Sequence, residues 1–158
     1  MTTSSEQSTR PGKKLGPTNE FTVFVNVKPG HEQQIREALE QKDDQASRVA
    51  DIEAIGTVHD IRWVLFDNDT RLLFASEFDG DWDAYIDDFA THMPGIFDAV
   101  LQHTEDYPGI TDPRIKDFIT ARQVTAVSYY RGFLGTVKEI KKALAVQEAF
   151  QHLLDQAS

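Results

Sequence analysis

The sequence predicts an α+β domain in which helices cover one face of an antiparallel sheet. Residues 21–28 alternate apolar and polar side chains, the period of a strand. Two further β-rich runs, 57–66 and 71–78, are joined by the four polar residues 67–70, which is typical of a hairpin. Stretches with helical spacing separate the strands and carry apolar side chains on one side. These observations together favour a mixed sheet-and-helix fold.

The remaining elements complete a recognisable order. They are a helix over 31–52, a helix over 79–93 that restarts at Pro94 and runs to 103, a short helix over 112–122, a strand over 124–131 and a final helix from Thr136. Five apolar residues of the final helix are predicted to face inward: Val137, Ile140, Leu144, Phe150 and Leu153. This order contains two split βαβ halves and predicts a ferredoxin-like βαββαβ sandwich with extra helices.

The chain divides into two parts by composition. Residues 1–20 contain one large apolar residue after the initiator, Leu15, and so bury too little surface to offset the entropy of ordering. We predict a flexible N-terminal arm over 1–20 and a single domain over 21–158.

Charge and cysteine content exclude several classes of function. Sixteen Lys and Arg against 26 Asp and Glu give a formal net charge of −10, which disfavours binding to nucleic acid or to anionic membranes. With no cysteine, thiolate metal sites and cysteine nucleophiles are excluded. No apolar run reaches membrane-spanning length, and a cytoplasmic protein is expected. No dinucleotide, P-loop, zinc-protease or nucleophile-elbow motif occurs.

One face of the predicted sheet would remain uncovered in a single chain. Aromatic residues would lie on that face: Phe24, Phe66 or Trp63, Phe74 or Phe78, and Tyr129 or Tyr130. Because an exposed apolar face of this size calls for a partner, we expect a homodimer formed through the sheet.

Three segments carry a resemblance to a known superfamily: GTVHDIR (56–62), LLFASEFDG (72–80) and YPG (107–109). With the element order, they resemble a little-characterised bacterial branch of the dimeric α/β-barrel superfamily. The resemblance implies a barrel closed by two sheets and a small-molecule pocket between sheet and helices. Members include cofactor-free monooxygenases, haem-binding enzymes, isomerases and ligand-binding modules, so the resemblance implies no single reaction.

His59 and Arg62 are the candidate catalytic residues. His59, near the start of the second strand, is a candidate general base, proton shuttle or axial ligand; the alternative is a hydrogen-bonded histidine at a strand end. Arg62 is a candidate carboxylate clamp or a partner of Asp60. Lying three apart, they leave opposite faces of an ideal strand, so both line one cavity only if a bulge intervenes or one side chain reaches round the strand end. Without a bulge, His59 shares its face with Trp63.

Further residues are candidates for binding. Asn26 is a polar residue within the first strand, and a pocket would satisfy its amide. Phe24, Trp63 and either Tyr129 or Tyr130 are predicted to contact substrate. His103 follows a helix and is either a haem ligand or a histidine that interacts with the helix dipole.

Two functions therefore remain open. The first is a small oxidoreductase, monooxygenase-like or haem-using, that acts on a hydrophobic or aromatic molecule. The second is a non-catalytic small-molecule-binding or accessory module of a redox system. The cofactor is either absent or haem, and no metal site is predicted.

Overall fold

The computed structural model describes residues 10–41 and 45–158. Its elements are β1 (Lys14–Leu15), β2 (Thr18–Asn26), α1 (Glu32–Glu40), α2 (Gln45–Ile55), β3 (Val58–Phe66), β4 (Arg71–Asp79), α3 (Trp82–His92), α4 (Pro94–Leu101), α5 (Ile115–Arg122) and α6 (Val137–Gln156). The predicted helix over 31–52 is two helices, with residues 42–44 outside the described part.

The sheet is antiparallel with the strand order β1-β2-β4-β3. β2 and β4 pair along their full length, from Thr18 opposite Asp79 to Asn26 opposite Arg71. β3 and β4 form the predicted hairpin, whose turn residues 67–69 all have left-handed backbone conformations. Asp and Asn tolerate that conformation better than most residues, so the polar connector matches its turn. The predicted α+β, ferredoxin-like sheet with helices on one face is confirmed.

An aromatic core lies between the sheet and the helices. Phe21 contacts Phe74 and Tyr85 edge-on, and Tyr85 stacks on Phe78 with ring centroids 3.9 Å apart. The predicted placement of Phe74 or Phe78 on the open face is therefore wrong. Phe74 and Phe78 are four residues apart on β4, so their side chains point to the same face of the sheet, where α3 covers both. A helix that begins at an Asp81 cap supplies the covering surface, since the Asp81 side chain accepts the N–H of Ala84.

The predicted fourth strand over 124–131 does not form. Its place beside β2 is shared by three short segments: Glu20 N–H donates to Lys13 O, Val124 N–H to Thr22 O and Glu105 N–H to Asn26 O. After Val124 the chain leaves the edge, because the N–H of Ala126 donates to the buried carboxylate of Glu20 instead of to the strand. The β-propensity of residues 124–131 favours a strand, but it gives no information on whether the edge of β2 is already paired with other segments.

Regular structure begins before the predicted domain boundary at residue 21. β1 and the first three residues of β2 lie within the segment predicted as an arm. Arg10 lies over the Trp82 ring at 4.3 Å and pairs with Asp83 at 2.8 Å. Residues 1–9 lie outside the described part, and flexibility of the arm stays a prediction.

The inward orientation predicted for α6 is wrong for most of its length. Val137 is buried and Ile140 is half-buried, whereas every residue from Lys141 to Ser158 is exposed. Leu144, Phe150 and Leu153 are thus on the surface. The helical periodicity of α6 indicates that its apolar residues share one side, but it does not indicate whether another element packs against that side. Among the described residues, no helix combines the length and hydrophobicity that a membrane crossing requires.

Candidate functional site

A bulge at the start of β3 decides where His59 lies. The register shifts between Val58 and Asp60, so Val58 packs in the core opposite Phe78 while His59 turns to the other side of the sheet. His59 there contacts Asp79 and Thr18, on the face that the helices leave open. It therefore does not share a face with Trp63, contrary to the expectation for an unbulged strand.

His59 is the centre of a polar network, the His59 cluster, formed with Asp79, Thr18, Arg131 and Glu77. Asp79 Oδ1 lies 2.7 Å from His59 Nε2 and accepts from the Thr18 hydroxyl at 2.7 Å. Arg131 donates to His59 Nδ1 at 2.9 Å and to the Thr18 hydroxyl oxygen at 2.5 Å. Its Nε lies 3.3 Å from Glu77. His59, Asp79, Thr18 and Arg131 are thus each held by at least two other members, and Glu77 is held by Arg131.

The hydrogen bonds assign roles to the two imidazole nitrogens. Since guanidinium can only donate, His59 Nδ1 accepts from Arg131, and Nε2–H donates to Asp79. The Asp79 carboxylate also accepts the backbone N–H of Val137 at 2.7 Å. Burial would raise the pKa of Asp79, but hydrogen bonds from Val137, His59 and Thr18 outweigh it and lower that pKa. The cluster stabilises an ionised carboxylate.

The cluster fastens the C-terminal segment to the sheet. Arg131 follows α5 by nine residues and bonds to His59 and Thr18, and Val137, the first residue of α6, donates to Asp79, so both ends of the segment 131–137 reach the cluster. The Arg131 side chain is only 8% exposed. These contacts alone give His59 a structural role.

Tyr129 adds a buried hydroxyl next to the Glu77 carboxylate of this cluster. Burial and the negative charge of Glu77 raise the pKa of Tyr129 to about 12. Tyr130, in contrast, is 86% exposed; because residues 124–131 form no strand, the two side chains do not divide between the pocket and the helices as strand alternation predicted.

The open face also holds Arg62, Phe24 and Asn26. Arg62 is exposed, and neither Asp60 nor any other residue in 10–41 or 45–158 pairs with it. Phe24 contacts Phe66, and the Arg71 guanidinium lies over both rings. Asn26 is exposed and donates to Glu105 at 3.3 Å. These residues share a face with His59 without enclosing a pocket.

Trp63 lies on the opposite, helix-covered face. Its ring packs on Phe74 and Phe97, with centroids 4.5 and 5.4 Å apart. One side of Trp63 remains accessible in a surface groove of about 340 Å³ between β3, the helix pair α1–α2 and α4. We call this the Trp63 groove; it is lined by Leu39, Arg48, Ile52, Ile61, Trp63, Met93, Ile96 and Phe97.

His103 lies away from both regions. Its Nδ1 is 3.0 Å from that of His31, which precedes α1, and its backbone carbonyl accepts the N–H of Lys28. Burial and the positive charges of His31 and Lys28 lower the pKa of His103. Among the described residues, no group of three or more metal-binding side chains occurs.

Sequence reasoning missed four members of the His59 cluster: Thr18, Glu77, Asp79 and Arg131. Asp79 and Thr18 are opposite each other in the strand register, but that register depends on where β2 begins. Arg131 was placed on a strand that does not form. The strand period indicates that a bulge is one way to bring His59 and Arg62 to one face, and the structure has a bulge at His59 that does so.

Comparison with known proteins assigns no family. No family model matches the chain, and no curated protein matches it. Two chains of solved structure match. One is described as "Putative antibiotic biosynthesis monooxygenase from Nitrosomonas europaea"; it is 12% identical, with a TM-score of 0.44, over 60% of this chain and 86% of that chain. A match at this level carries no argument about activity.

Proposed function

We propose that this chain binds a hydrophobic or aromatic small molecule in the Trp63 groove, as a binding module built on a ferredoxin-like sheet. The observation that carries the proposal is the groove itself, which places an indole ring at the base of an apolar recess of about 340 Å³. Ligand sites commonly have such volumes and are mainly apolar with few polar groups.

The groove offers one fixed polar group. Arg48 donates from Nη1 to Leu39 O and from Nη2 to Ala38 O, which fixes the guanidinium at the end of α1. Its remaining N–H groups are donors for a polar substituent of the ligand. The other lining residues are apolar, so shape and burial determine affinity.

An enzyme on the open face is the second candidate. The observation that favours it is the partly buried His59–Asp79 pair, together with the buried Tyr129 hydroxyl next to Glu77 of the same cluster. In this alternative His59 is the proton shuttle and Arg62 binds an anionic group, as expected from the sequence. The hypothesis of an oxidoreductase, monooxygenase-like or haem-using, corresponds to this second candidate function.

The described residues do not fit a haem between the sheet and the helices. The interior cavity there has a volume of about 30 Å³, room for no more than about two or three water molecules and far too small for a haem. His103, the ligand suggested by the sequence, does not line it. The Trp63 groove contains no histidine. We therefore derive no haem chemistry for this chain.

A binding experiment separates the two candidates. Naphthalene and 8-anilino-1-naphthalenesulfonate serve as probes, with Ile61→Glu to place a charge in the groove. Val64→Glu is the matched control, because residue 64 faces the open side of the same strand. We expect Ile61→Glu to weaken probe binding at least tenfold and Val64→Glu to leave it unchanged.

The opposite result would contradict the binding proposal. If Val64→Glu or Arg62→Ala abolishes binding while Ile61→Glu does not, the ligand site lies on the open face. Melting temperatures of all variants show whether a loss of binding reflects unfolding.

We also infer that the partner is a second copy of the chain. Four apolar side chains of the open face remain without a covering element: Phe24, Val64, Phe66 and Leu73. The sheet therefore keeps the feature from which a homodimer of the α/β-barrel type was expected.

A further inference from the structure

A second recess adjoins the Trp63 groove. It has a volume of about 380 Å³ and lies between the end of α1, the helix α2 and the start of α4. It shares the lining residues Arg48, Met93 and Ile96 with the Trp63 groove, so the two lie side by side. We call it the Arg48 recess; its polar lining residues are Gln41, Ser47, Arg48, Asp51 and His92. A ligand in the apolar groove can therefore extend past Arg48 into a polar compartment.

Arg48 and Asp51 bring opposite charges to the Arg48 recess without pairing with each other. They are three residues apart on α2 and therefore lie on the same side of that helix. The Arg48 guanidinium is turned to the end of α1, where it donates to Ala38 O at 2.6 Å and to Leu39 O at 2.9 Å. Within 10–41 and 45–158, neither Arg48 nor Asp51 forms an ion pair. Both charges are thus available to a ligand.

The position of Arg48 suits it to bind a carboxylate. Its two hydrogen bonds to backbone carbonyls hold the guanidinium in place, so little side-chain freedom is left to lose when a ligand binds. The N–H groups that these bonds do not use are donors for a carboxylate, which a planar guanidinium binds well. Asp51, in contrast, is an acceptor that suits an ammonium group.

We propose that the ligand of the Trp63 groove is an aromatic α-amino acid. Its ring packs on Trp63, its carboxylate accepts from Arg48 and its ammonium group donates to Asp51. The carboxylate and the ammonium group of an α-amino acid are attached to the same carbon atom, and side chains three apart on a helix are about 5–6 Å apart at Cβ, so one head group reaches both. This inference rests on the proposed binding site and names the class of its ligand.

The two charges also disfavour the simpler ligands. An aromatic acid without an amine would bring its carboxylate close to Asp51, and an aromatic amine without an acid would bring its ammonium group close to Arg48. An uncharged ring would leave both side chains without a partner. Like-charge contacts and unpaired charges reduce affinity, so the recess selects the ligand that carries both groups.

Four indole compounds that differ only in the head group test the proposal by calorimetric titration of the full wild-type chain. They are indole, indole-3-propionate, tryptamine and tryptophan. We expect tryptophan to bind most tightly, at least about tenfold more tightly than indole, because it gains two charge-assisted contacts. Indole-3-propionate and tryptamine each lack one of these contacts and should bind more weakly than tryptophan.

Two variants assign the contacts. Arg48→Gln should weaken tryptophan and indole-3-propionate about tenfold and leave indole unchanged, and Asp51→Asn should weaken tryptophan and tryptamine to a similar extent. Arg114→Gln and Glu53→Gln are the matched controls, because they make the same charge changes at exposed positions outside both recesses. They should bind all four compounds as the wild type does.

The outcomes separate this inference from the proposed function. If indole binds and Ile61→Glu weakens it, but tryptophan binds no more tightly than indole or indole-3-propionate, the amino-acid assignment is overturned and the binding site is kept. If neither indole nor naphthalene binds, both are overturned. A loss of indole binding in Arg48→Gln would show that this variant disturbs the end of α1; the comparison of the four compounds on the wild type then decides, since it needs no variant.

Discussion

The two faces of the sheet are built in different ways. The helix-covered face is a continuous aromatic core in which Phe21, Phe74, Phe78, Tyr85 and Phe89 touch one another. The open face carries the His59 cluster at one end and a half-buried Phe24–Phe66 pair at the other. Apolar packing thus fixes the position of the helices, whereas charge-assisted hydrogen bonds fix the position of the C-terminal segment.

This difference shows how one strand serves two purposes. Along β3, Ile61 and Trp63 point to the core side and Arg62 and Val64 to the other. The bulge before Asp60 adds His59 to the open side without disturbing Val58 in the core. The aromatic core and the polar His59 cluster therefore lie on opposite faces of the sheet.

The largest effect is expected in the aromatic core. Phe89→Ala should reduce the free energy of unfolding by about 3–5 kcal/mol, because it removes a fully buried ring and leaves a cavity. Urea denaturation measures this value. Val64→Ala, on the open face, should cost less than about 1 kcal/mol. Equal losses would contradict the contrast between the two faces.

The His59 cluster should rank second. Asp79→Ala removes the acceptor of three donors and should cost about 2–3 kcal/mol, since the donors of His59, Thr18 and Val137 lose their partner. Increased hydrogen exchange at the amides of residues 137–140 would show that α6 loosens first. Exchange confined to the core would indicate that Asp79 does not anchor α6.

Because the pKa of Asp79 is lowered in the folded protein, we expect the free energy of unfolding to depend on pH. The pKa of Asp79 is lowered in the folded protein from its usual 3.8, so the unfolded chain binds the proton more readily. The stability contributed by Asp79 is therefore complete above about pH 4 and is lost as the pH falls through the folded pKa. Asp79→Asn should lose less stability than wild type between pH 5 and pH 2. Parallel losses would contradict this assignment.

A smaller effect is expected where the N-terminal segment meets the core side. Arg10→Ala should cost about 1 kcal/mol, because it removes the cation–π contact with Trp82 and a partly exposed ion pair with Asp83. The melting temperature measures the loss, with Lys14→Ala on the exposed β1 as the control. No difference between the two would mean that Arg10 does not hold this segment.

The smallest effect is expected at Arg62. Since no described side chain pairs with its guanidinium, Arg62→Ala should change the free energy of unfolding by less than about 0.5 kcal/mol. A larger loss, measured by urea denaturation at concentrations above the dimer dissociation constant, would show that Arg62 contacts the partner copy.

Much of the fold follows from local pattern. Three predicted strands, over 21–28, 57–66 and 71–78, are present with shifted ends, and the polar turn between the last two is present as well, because their signals act over a few residues. The capped helix after Asp81 was predictable for the same reason. For the candidate site, the strand period indicated that a bulge near His59 is one way to bring His59 and Arg62 to one face, and the structure contains that bulge.

The rest depended on contacts between distant segments. The sequence by itself determined an acidic α+β chain with an antiparallel hairpin and an apolar stripe on its last helix. Only the tertiary structure decided that residues 124–131 leave the sheet, that Asp79 and Arg131 meet at His59, and that the stripe on α6 stays uncovered. The physical reason is that alternation and helical periodicity indicate which residues need to be covered, whereas the covering residues can come from distant parts of the chain, as Arg131 does at His59, 72 positions away.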